Sequence, residues 1–143
     1  ATLEANGMIA VSRNNGAVVE YGVDMPDNAP SSVQGAHRLG GFVDSDTIIM
    51  SDGVQIYRGT IAGKTVTFKT ILTNTTNKVG SDVLVDKDGK SLAFVYELKA
   101  NFGITTVESS IYTMPVAGGE AKKVDEFENP GLQADVRLVA FNK

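Results

Sequence analysis

The sequence predicts an all-β protein, an antiparallel β-sandwich or barrel with at most one short helix and a long loop or hairpin arm near residues 23–41. Its apolar residues fall in short runs rich in β-branched side chains, and glycine, asparagine and aspartate separate these runs. No segment shows a sustained helical period of apolar residues. The 143 residues suffice for one hydrophobic core, so we expect residues 1–143 to form a single domain.

The composition argues against several classes of function. The chain contains no cysteine, which rules out disulfides and thiol catalysis. Its net charge of −4 and pI near 4.9 argue against nonspecific binding to DNA or to anionic membranes. No apolar run approaches the roughly 20 residues that a membrane-spanning helix needs. We therefore expect no membrane partner.

The first two strands are predicted on either side of a tight turn. Met8–Val11 and Ala17–Tyr21 are short apolar runs, and Asn15-Gly16 between them favours a hairpin because both residues tolerate positive φ. Val23–Gly41 follows, with two prolines, three glycines and a polar run. Connections of this length are usually functional or flexible. This segment is therefore predicted to be a long loop or a hairpin arm.

Two strands are predicted next. They span Phe42–Met50 and Val54–Gly59, and a turn at Ser51–Gly53 separates them. The aspartates of Asp44–Asp46 and of the Ser51–Gly53 turn are interpreted as turn formers, because short carboxylate side chains bond to nearby backbone N–H groups.

A half-buried strand and a short helix are predicted in the middle of the chain. Thr65–Leu72 alternates, so that every second residue from Val66 onward shares one face and the other face is mostly polar. Thr73–Gly80 is polar and threonine-rich, and it is the place where the single short helix would lie.

The stretch VDKDGKSLAFVYEL, residues 85–98, predicts a second tight hairpin. Val83–Val85 and Leu92–Lys99 are strand-like runs, and Asp88-Gly89 closes the turn between them. Within the second run, Glu97 shares a strand face with Val95, opposite the face that carries Phe94. Glu97 is therefore a candidate for a solvent-facing or lumen-facing position.

The same stretch superficially resembles the start of a calcium-binding loop. Asp86 and Asp88 flank a lysine, and a glycine follows. Such a loop also needs a third oxygen ligand, a later glutamate and flanking helices. Lys87 and Lys90 would repel a cation, so we interpret the acidic residues as part of the turn.

The last strands are predicted at Ile104–Met114 and Val136–Phe141, where β-branched and apolar residues are concentrated. Between them, Glu120–Glu128 mixes both signs of charge and is interpreted as a solvated loop.

No catalytic constellation is recognisable. His37 is the single histidine and lies in the long segment near residues 23–41, where we expect it to be solvated or at an interface. Gly40-Gly41 and Gly118-Gly119 do not open a helix with a following Lys-Ser/Thr pair, so neither predicts a phosphate loop. No Gly-x-Ser-x-Gly sequence is present. We expect no enzyme activity, no catalytic residue, no cofactor and no metal.

One local resemblance covers the later part of the chain. SDVLVDKDGKSLAFVYEL, followed by IYTMPVAGGEAKKV, resembles one blade of a TolB-type β-propeller. A complete propeller contains roughly four to eight four-stranded blades, and the remaining sequence does not repeat the pattern. This resemblance implies a fragment of a propeller that binds protein or glycan.

A second resemblance follows the order of segments along the whole chain. GMIAVSRNNGAVVEYG, MPDNAPSS, LGGFVDSDTIIMSDG, TVTFKTILTNTTNKVG and the late FVYELKANFG…YTMPVAGGEAKKVDEF ending in DVRLVAFNK resemble successive parts of the major tail tube proteins of long-tailed bacteriophages. The resemblance implies an all-β sandwich with a small helix that assembles into stacked hexameric rings. It also implies a lumen through which DNA passes without specific binding, and no cofactor.

The resemblance also implies where contacts would lie. The partners would be further copies of the chain and other virion tail proteins, in a virion assembled after synthesis in the host cytoplasm. Candidate subunit-interface residues come from the long segment: Asp24, Met25, Pro26, Asp27, Pro30, His37 and Arg38. Glu97 is the lumen candidate. A phage capsid decoration protein and the propeller-fragment binding module are the alternative functions.

Overall fold

The computed structural model describes residues 2–3, 7–27, 37–53, 55–73, 78–100 and 105–128. This part of the chain contains β-strands and no helix, which confirms the predicted all-β class. In chain order the strands are β1 (Thr2–Leu3), β2 (Ile9–Ser12), β3 (Val18–Asp24), β4 (Arg38–Asp44), β5 (Thr47–Ser51), β6 (Gln55–Ala62), β7 (Thr65–Thr73), β8 (Lys78–Val85), β9 (Ser91–Ala100), β10 (Thr105–Pro115) and β11 (Lys122–Glu128).

The strands form two sheets. The seven-stranded sheet has the order β1-β2-β3-β7-β6-β5-β4, and the four-stranded sheet has the order β11-β10-β9-β8. Neighbouring strands are antiparallel except for β3 and β7, which are parallel. The larger sheet curls into a half-barrel. The curl brings Arg13 of the β2–β3 turn close enough to donate to the Ser45 carbonyl oxygen of the β4–β5 turn, at 2.7 Å. A flat sheet would hold these two turns several strands apart.

The first hydrophobic core lies inside the curled sheet. It contains the buried side chains of Ile9, Val11, Tyr21, Ile48, Met50, Tyr57, Val66 and Phe68. Each strand from β2 to β7, apart from the edge strand β4, contributes a buried residue to this core, and β4 packs Leu39 and Phe42 against it. One sheet therefore encloses a core by curling over its own inner face.

The second hydrophobic core lies between the two sheets. Its buried side chains are Ile49, Ile56, Val83, Leu92, Phe94, Met114 and Val116. β5 is buried on both faces, since Ile48 belongs to the first core and Ile49 to the second. This double burial explains why β5 has a continuous apolar run where a half-buried strand would alternate.

Both predicted tight hairpins are confirmed. β2 and β3 pair across a turn in which Gly16 has φ of 81° and the Asn15 side chain accepts from the Ala17 N–H at 3.0 Å. β8 and β9 pair across a turn in which Gly89 has φ of 69°. The chain therefore reverses where the Asn-Gly and Asp-Gly pairs predict it.

The prediction of one strand over Phe42–Met50 is wrong. The chain turns at Ser45 and Asp46, so that β4 and β5 are separate, antiparallel strands. Asp44 stabilises this turn by accepting from the Asp46 N–H at 2.9 Å. Its interpretation as a turn former is therefore confirmed.

The predicted alternation in β7 holds only for its first half. Val66 and Phe68 are buried in the first core, whereas Ile71 and Leu72 both pack against the second core. A register shift against β6 between Ile56 and Tyr57 leaves one extra residue in β7 and interrupts the period of two. The bulge lets one strand serve both cores.

The helix predicted over Thr73–Gly80 is wrong for the described residues of that range, which belong to strands. Thr73 is the last residue of β7, and residues 78–80 open β8, which is longer than the predicted Val83–Val85. Residues 74–77 lie outside the described residues. The sequence signal for a helix was polarity alone, which an edge strand also tolerates.

The loop predicted over Glu120–Glu128 is also wrong, because most of it forms β11. All described side chains of Lys122–Glu126 are exposed, as expected for an edge strand whose faces are both solvated. The strand was not predicted because its many charged residues leave no alternation of apolar and polar side chains. The strand predicted over Val136–Phe141 lies outside the described residues.

The long segment near residues 23–41 is shorter than predicted at both ends. β3 extends to Asp24, and β4 begins at Arg38. These two strands do not pair with each other, because β7, β6 and β5 lie between them in the sheet. The two ends of the connection are therefore held by different strands, and residues 28–36 lie outside the described residues.

Two glycines allow the sheets to approach where β4 passes β8 and its turn. A Cβ on Gly40 would lie 2.9 Å from the Val83 carbonyl oxygen, and a Cβ on Gly89 would overlap the Val43 carbonyl oxygen. Only a residue without a side chain allows such close backbone packing. The edges of the two sheets are thereby held together.

Candidate assembly surfaces

The described part of the chain offers no obvious site for chemistry. Among these residues, no group of three histidine, cysteine, aspartate or glutamate side chains is placed to hold a metal ion. The described residues also include no helix long and apolar enough to span a membrane. The candidate sites are therefore surfaces, edges and buried polar groups.

The candidate interface residues that follow β3 begin at its last position. Asp24 pairs with Thr67 of β7 and is exposed, whereas Met25 packs against the first core. Pro26 is half-buried and Asp27 is exposed. Pro30 lies outside the described residues. Among the described residues of this group, Asp24 and Asp27 have exposed side chains.

The remaining candidate residues lie at the start of β4. His37 is only 3% exposed, so it is not solvated as the first alternative of the prediction had it, and its place at an interface stays a prediction. It precedes Leu39 by two positions, and Leu39 packs against the first core, so strand alternation turns both residues to the same side. Arg38 is exposed and donates from Nη1 to the His37 carbonyl oxygen at 2.8 Å.

The two groups of candidates are anchored at different places in the sheet. Asp24 is level with Thr67 of β7, whereas Arg38 is level with Ser51 of β5 and, through β6, with Leu72. Three strands and about 17 Å of strand rise separate the two levels. Any role of these residues in one contact surface stays a prediction.

The turn that resembles a calcium loop uses its carboxylate for backbone bonds. Asp86 is 5% exposed, and its Oδ1 accepts from the Lys90 N–H at 3.0 Å. The Gly89 N–H donates to the Asp86 carbonyl oxygen at 3.0 Å. Asp88 is exposed on the turn. Asp86 therefore organises the hairpin, as a turn-forming aspartate does.

A buried polar network lies at the β5–β6 turn. Asp52 accepts from the Gln55 N–H at 2.7 Å and from the Tyr57 hydroxyl group, and the Thr73 hydroxyl group donates to the Gln55 side chain at 3.3 Å. Burial raises the pKa of Tyr57, and the bond to Asp52 raises it further. A phenol held protonated in this way is a poor nucleophile, so the network is structural.

Arg58 and Lys69 face each other directly across β6 and β7. Neither forms a salt bridge within the described residues, and Arg58 Nε is buried without a hydrogen-bond partner there. The nearby Asp44 carboxyl has a lowered pKa, chiefly because it accepts from the Asp46 N–H, with a smaller contribution from Arg58. Sequence reasoning missed this like-charged pair, since the register of two strands is needed to see it.

Three aromatic side chains cluster at the second core. Phe94 contacts Tyr96 edge-on with ring centroids 4.9 Å apart, and it stacks on Tyr112 at 5.8 Å. Burial, with a contribution from Tyr112, raises the pKa of Tyr96 to about 12. Phe94 is fully buried in the second core, whereas Tyr96 and Tyr112 pack against it and remain partly exposed.

The lumen candidate Glu97 lies in β9, level with Ser109 of β10 and Lys78 of β8. Its side chain lies outside the described residues. On the same strand face, Ala93 and Val95 are buried, opposite the face with Leu92 and Phe94. The predicted division of β9 into two faces is confirmed for these positions. The lumen role of Glu97 stays a prediction.

The β11 edge is charged and irregular. A register shift against β10 leaves Val124 as an extra residue, and its side chain is 63% exposed. Lys123 Nζ lies 2.8 Å from Glu126 Oε1. Charges and bulges of this kind hinder unwanted pairing with other strands.

Comparison with known proteins adds no assignment: no protein-family model, no curated protein and no solved structure matches this chain.

Proposed function

We propose that this chain is a structural subunit of the tail tube of a long-tailed bacteriophage, assembling with itself into stacked hexameric rings. Support comes from the order of five tail-tube-like segments in the sequence and from an all-β, two-sheet fold. The partners are further copies of the chain and other tail proteins in the virion. DNA passes through the lumen as cargo. The subunit itself has no catalytic role and needs no cofactor.

One topological observation carries this proposal. The four-stranded sheet is an antiparallel meander, so its edge strands β8 and β11 run in opposite directions. Copies in a ring are related by rotation, and a rotation about an axis parallel to the strands leaves the strand directions unchanged. In a ring, β11 of one copy would therefore lie antiparallel to β8 of the next, and the sheet would continue from subunit to subunit. Head-to-tail contacts of this type close into rings.

The packing of β4 limits which part of β8 is available for this contact. Gly40 lies against Val83, and Gly41 approaches Val85. The later half of β8 is therefore covered by the larger sheet. Residues 78–82 form the other half of β8, and β11 of a neighbouring copy would pair with this half.

The charge of the chain also supports a conduit. A net charge of −4 gives the subunit the same sign as DNA phosphates. Like charges repel, so a lumen with this balance passes DNA without holding it.

Negative-stain electron microscopy of the purified chain, with light scattering for its mass, tests the proposal. We expect rings or hollow tubes. A stable trimer would favour a capsid decoration protein. A strict monomer at high concentration, also in the presence of preformed tube ends, would overturn the tail tube assignment.

The segment between β3 and β4 provides a second test. We expect that replacing residues 28–36 by a Gly/Ser linker of equal length leaves a folded monomer that no longer polymerises. Circular dichroism checks folding, and electron microscopy checks assembly. Normal tubes from this variant would remove the segment from the interface.

A propeller-fragment binding module is the second candidate function. The stretch that resembles a TolB-type blade forms a four-stranded antiparallel meander, which is the strand number of one blade. Its sheet packs against the curled sheet through Ile49 and Ile56, whereas propeller blades pack against one another. A monomer that captures protein or glycan ligands on this sheet would favour the second candidate.

A further inference from the structure

The outer face of the curled sheet carries two cations in direct register. Arg58 of β6 lies opposite Lys69 of β7 on one side and opposite Ile49 of β5 on the other. Ile49 is buried in the second core, and residues directly opposite each other share a face, so all three side chains belong to the face that this core partly covers. Arg58 is half-buried and Lys69 is exposed. The pair therefore lies at the rim of the second core.

Two threonines lie next to this pair on the same strands. Thr60 of β6 lies opposite Thr67 of β7, and each is two residues from the cation on its own strand, with no register shift between them. Residues two apart in a strand share a face, so these four side chains form a rectangle of about 5 Å by 7 Å. Both threonines are exposed. We call this rectangle of Arg58, Thr60, Thr67 and Lys69 the cationic patch.

The cationic patch has two features that cost free energy in the protein alone. Like charges that face each other directly across two strands are destabilising. Arg58 Nε is buried and has no hydrogen-bond partner among the described residues, so a strong donor is left unused. Neither cation forms a salt bridge within this part of the chain. One anion held between the two side chains would offset both costs.

Carboxylates lie on either side of the cationic patch and are used elsewhere or remain exposed. Asp24 of β3 lies opposite Thr67, and its side chain is exposed. Asp44 of β4 lies two strands from β6. It accepts from the Asp46 N–H, and this bond lowers its pKa more than Arg58 does. Because both carboxylates repel an anion, a bound anion is placed over the two cations and within one small area.

We propose that the cationic patch binds a phosphate-type oxyanion. The guanidinium group donates from Nε and its terminal nitrogens, Lys69 donates from its ammonium group, and the hydroxyl groups of Thr60 and Thr67 donate to the remaining oxygens. A tetrahedral anion has four oxygens and can accept from both rows of the rectangle, whereas a carboxylate has two. The site is complete in one copy of the chain, so it is independent of the proposed tube function.

Titration of the purified chain with sodium phosphate, followed by amide NMR, tests the proposal. Sodium chloride keeps the ionic strength constant, so that screening of charges is the same at every point. We expect saturable shifts at the amides of residues 58–60 and 67–69. A response that does not saturate, or saturable shifts confined to other strands, would overturn the proposal.

A matched pair of variants separates the cationic patch from the overall charge. Lys69→Gln removes one cation of the patch, and Lys122→Gln removes an equal charge from the exposed start of β11. We expect Lys69→Gln to weaken phosphate binding about tenfold, because a hydrogen bond from a charged donor is lost. We expect Lys122→Gln to bind nearly as tightly as the original chain. Equal weakening in both variants would assign the effect to net charge and contradict the site.

Thermal unfolding gives an independent measurement in which the two salts act differently. In chloride, Lys69→Gln should unfold at the same temperature as the original chain or a higher one, because the substitution removes a repulsion. Phosphate at equal ionic strength should raise the unfolding temperature of the original chain, since a ligand of the folded state stabilises it. The rise should be much smaller in Lys69→Gln. An equal rise in both proteins would show that phosphate acts elsewhere.

A short DNA duplex distinguishes free phosphate from the phosphodiester backbone. We expect the amides of residues 58–60 to respond to phosphate and to remain unshifted by the duplex, because Asp24 and Asp44 repel a longer polyanion. Binding of the duplex at the cationic patch without binding of free phosphate would overturn the proposal. It would also contradict a conduit that passes DNA without holding it.

Discussion

The two hydrophobic cores are closed in different ways. The first is enclosed by a single curled sheet and uses residues between Ile9 and Phe68. The second lies between two sheets and joins Ile49 and Ile56 to residues as distant as Val116. The first core therefore depends on strand pairing within one sheet, whereas the second depends on the docking of the four-stranded sheet. β5 connects the two, because its successive residues enter different cores.

Ile48 and Ile49 provide the sharpest test of this difference, since the same side chain is buried in each core. Both are at most 1% exposed, so Ile48→Ala and Ile49→Ala should each lower the free energy of unfolding by about 2–5 kcal/mol. Urea unfolding measures the loss. Hydrogen exchange in β9 and β10 should accelerate markedly in Ile49→Ala and much less in Ile48→Ala. Equal acceleration in both variants would mean that the two cores act as one.

Gly89 tests how closely the sheets must approach. Its φ of 69° disfavours any side chain, and a Cβ at this position would overlap the Val43 carbonyl oxygen. Gly89→Ala should therefore lower the free energy of unfolding by about 2–3 kcal/mol. Gly63→Ala is the matched control, with φ of 61° and open space around the Cβ, and should lower it by about 1 kcal/mol. Similar losses would show that the β4 contact is easily relieved.

Tyr57 tests the polar network at the edge of the first core. Tyr57→Phe removes the hydroxyl group that donates to Asp52 and should lower the free energy of unfolding by about 1.5 kcal/mol at neutral pH. The pKa of Tyr57 is raised by folding, so the unfolded chain loses this proton first as pH rises. Stability should fall above about pH 10, and the fall should be smaller in Tyr57→Phe. Urea unfolding at several pH values gives both results, and an unchanged slope would contradict the second.

Arg13 tests the closure of the curled sheet and should have the smallest effect. Its guanidinium group bonds to the Ser45 carbonyl oxygen and lies 3.9 Å from Asp46, with both side chains substantially exposed. Arg13→Ala should lower the free energy of unfolding by about 0.5 kcal/mol, since exposed ion pairs contribute little. Asp46→Ala completes a double-mutant cycle. A loss several times larger would mean that this contact, more than the first core, maintains the curl.

The fold class and the two tight hairpins could be predicted because local chemistry determines them. Asn15-Gly16 and Asp88-Gly89 fix the position of each reversal, and the Val66 alternation identifies a half-buried strand. The turn after Asp44 was missed because Phe42–Met50 was predicted as one strand, although the aspartates within it were interpreted as turn formers. The edge strand at Lys122–Glu128 was hidden by its charge, since an edge needs no buried face.

The surfaces were harder to predict, because they depend on strand order. Nothing in the sequence pairs β3 with β7 or sets the register of β6 against β7, so the cationic pair of Arg58 and Lys69 is visible only in the folded chain. His37 was misplaced for a related reason. Its burial follows from Leu39 packing inward, and the proline-containing segment before it gave no sign that β4 starts at Arg38.

The parallel pairing of β3 with β7 has a consequence for the order of folding. Most described pairings join strands that are neighbours in the chain, and such hairpins close within short loops. Gly22 and Thr65 are separated by about forty residues, so their pairing has to overcome a larger loss of chain entropy. The β2–β3 hairpin, the β4–β7 meander and the β8–β11 meander are then expected to form early. The union of the β2–β3 hairpin with the β4–β7 meander, through the pairing of β3 with β7, is then expected to be a late and rate-limiting event.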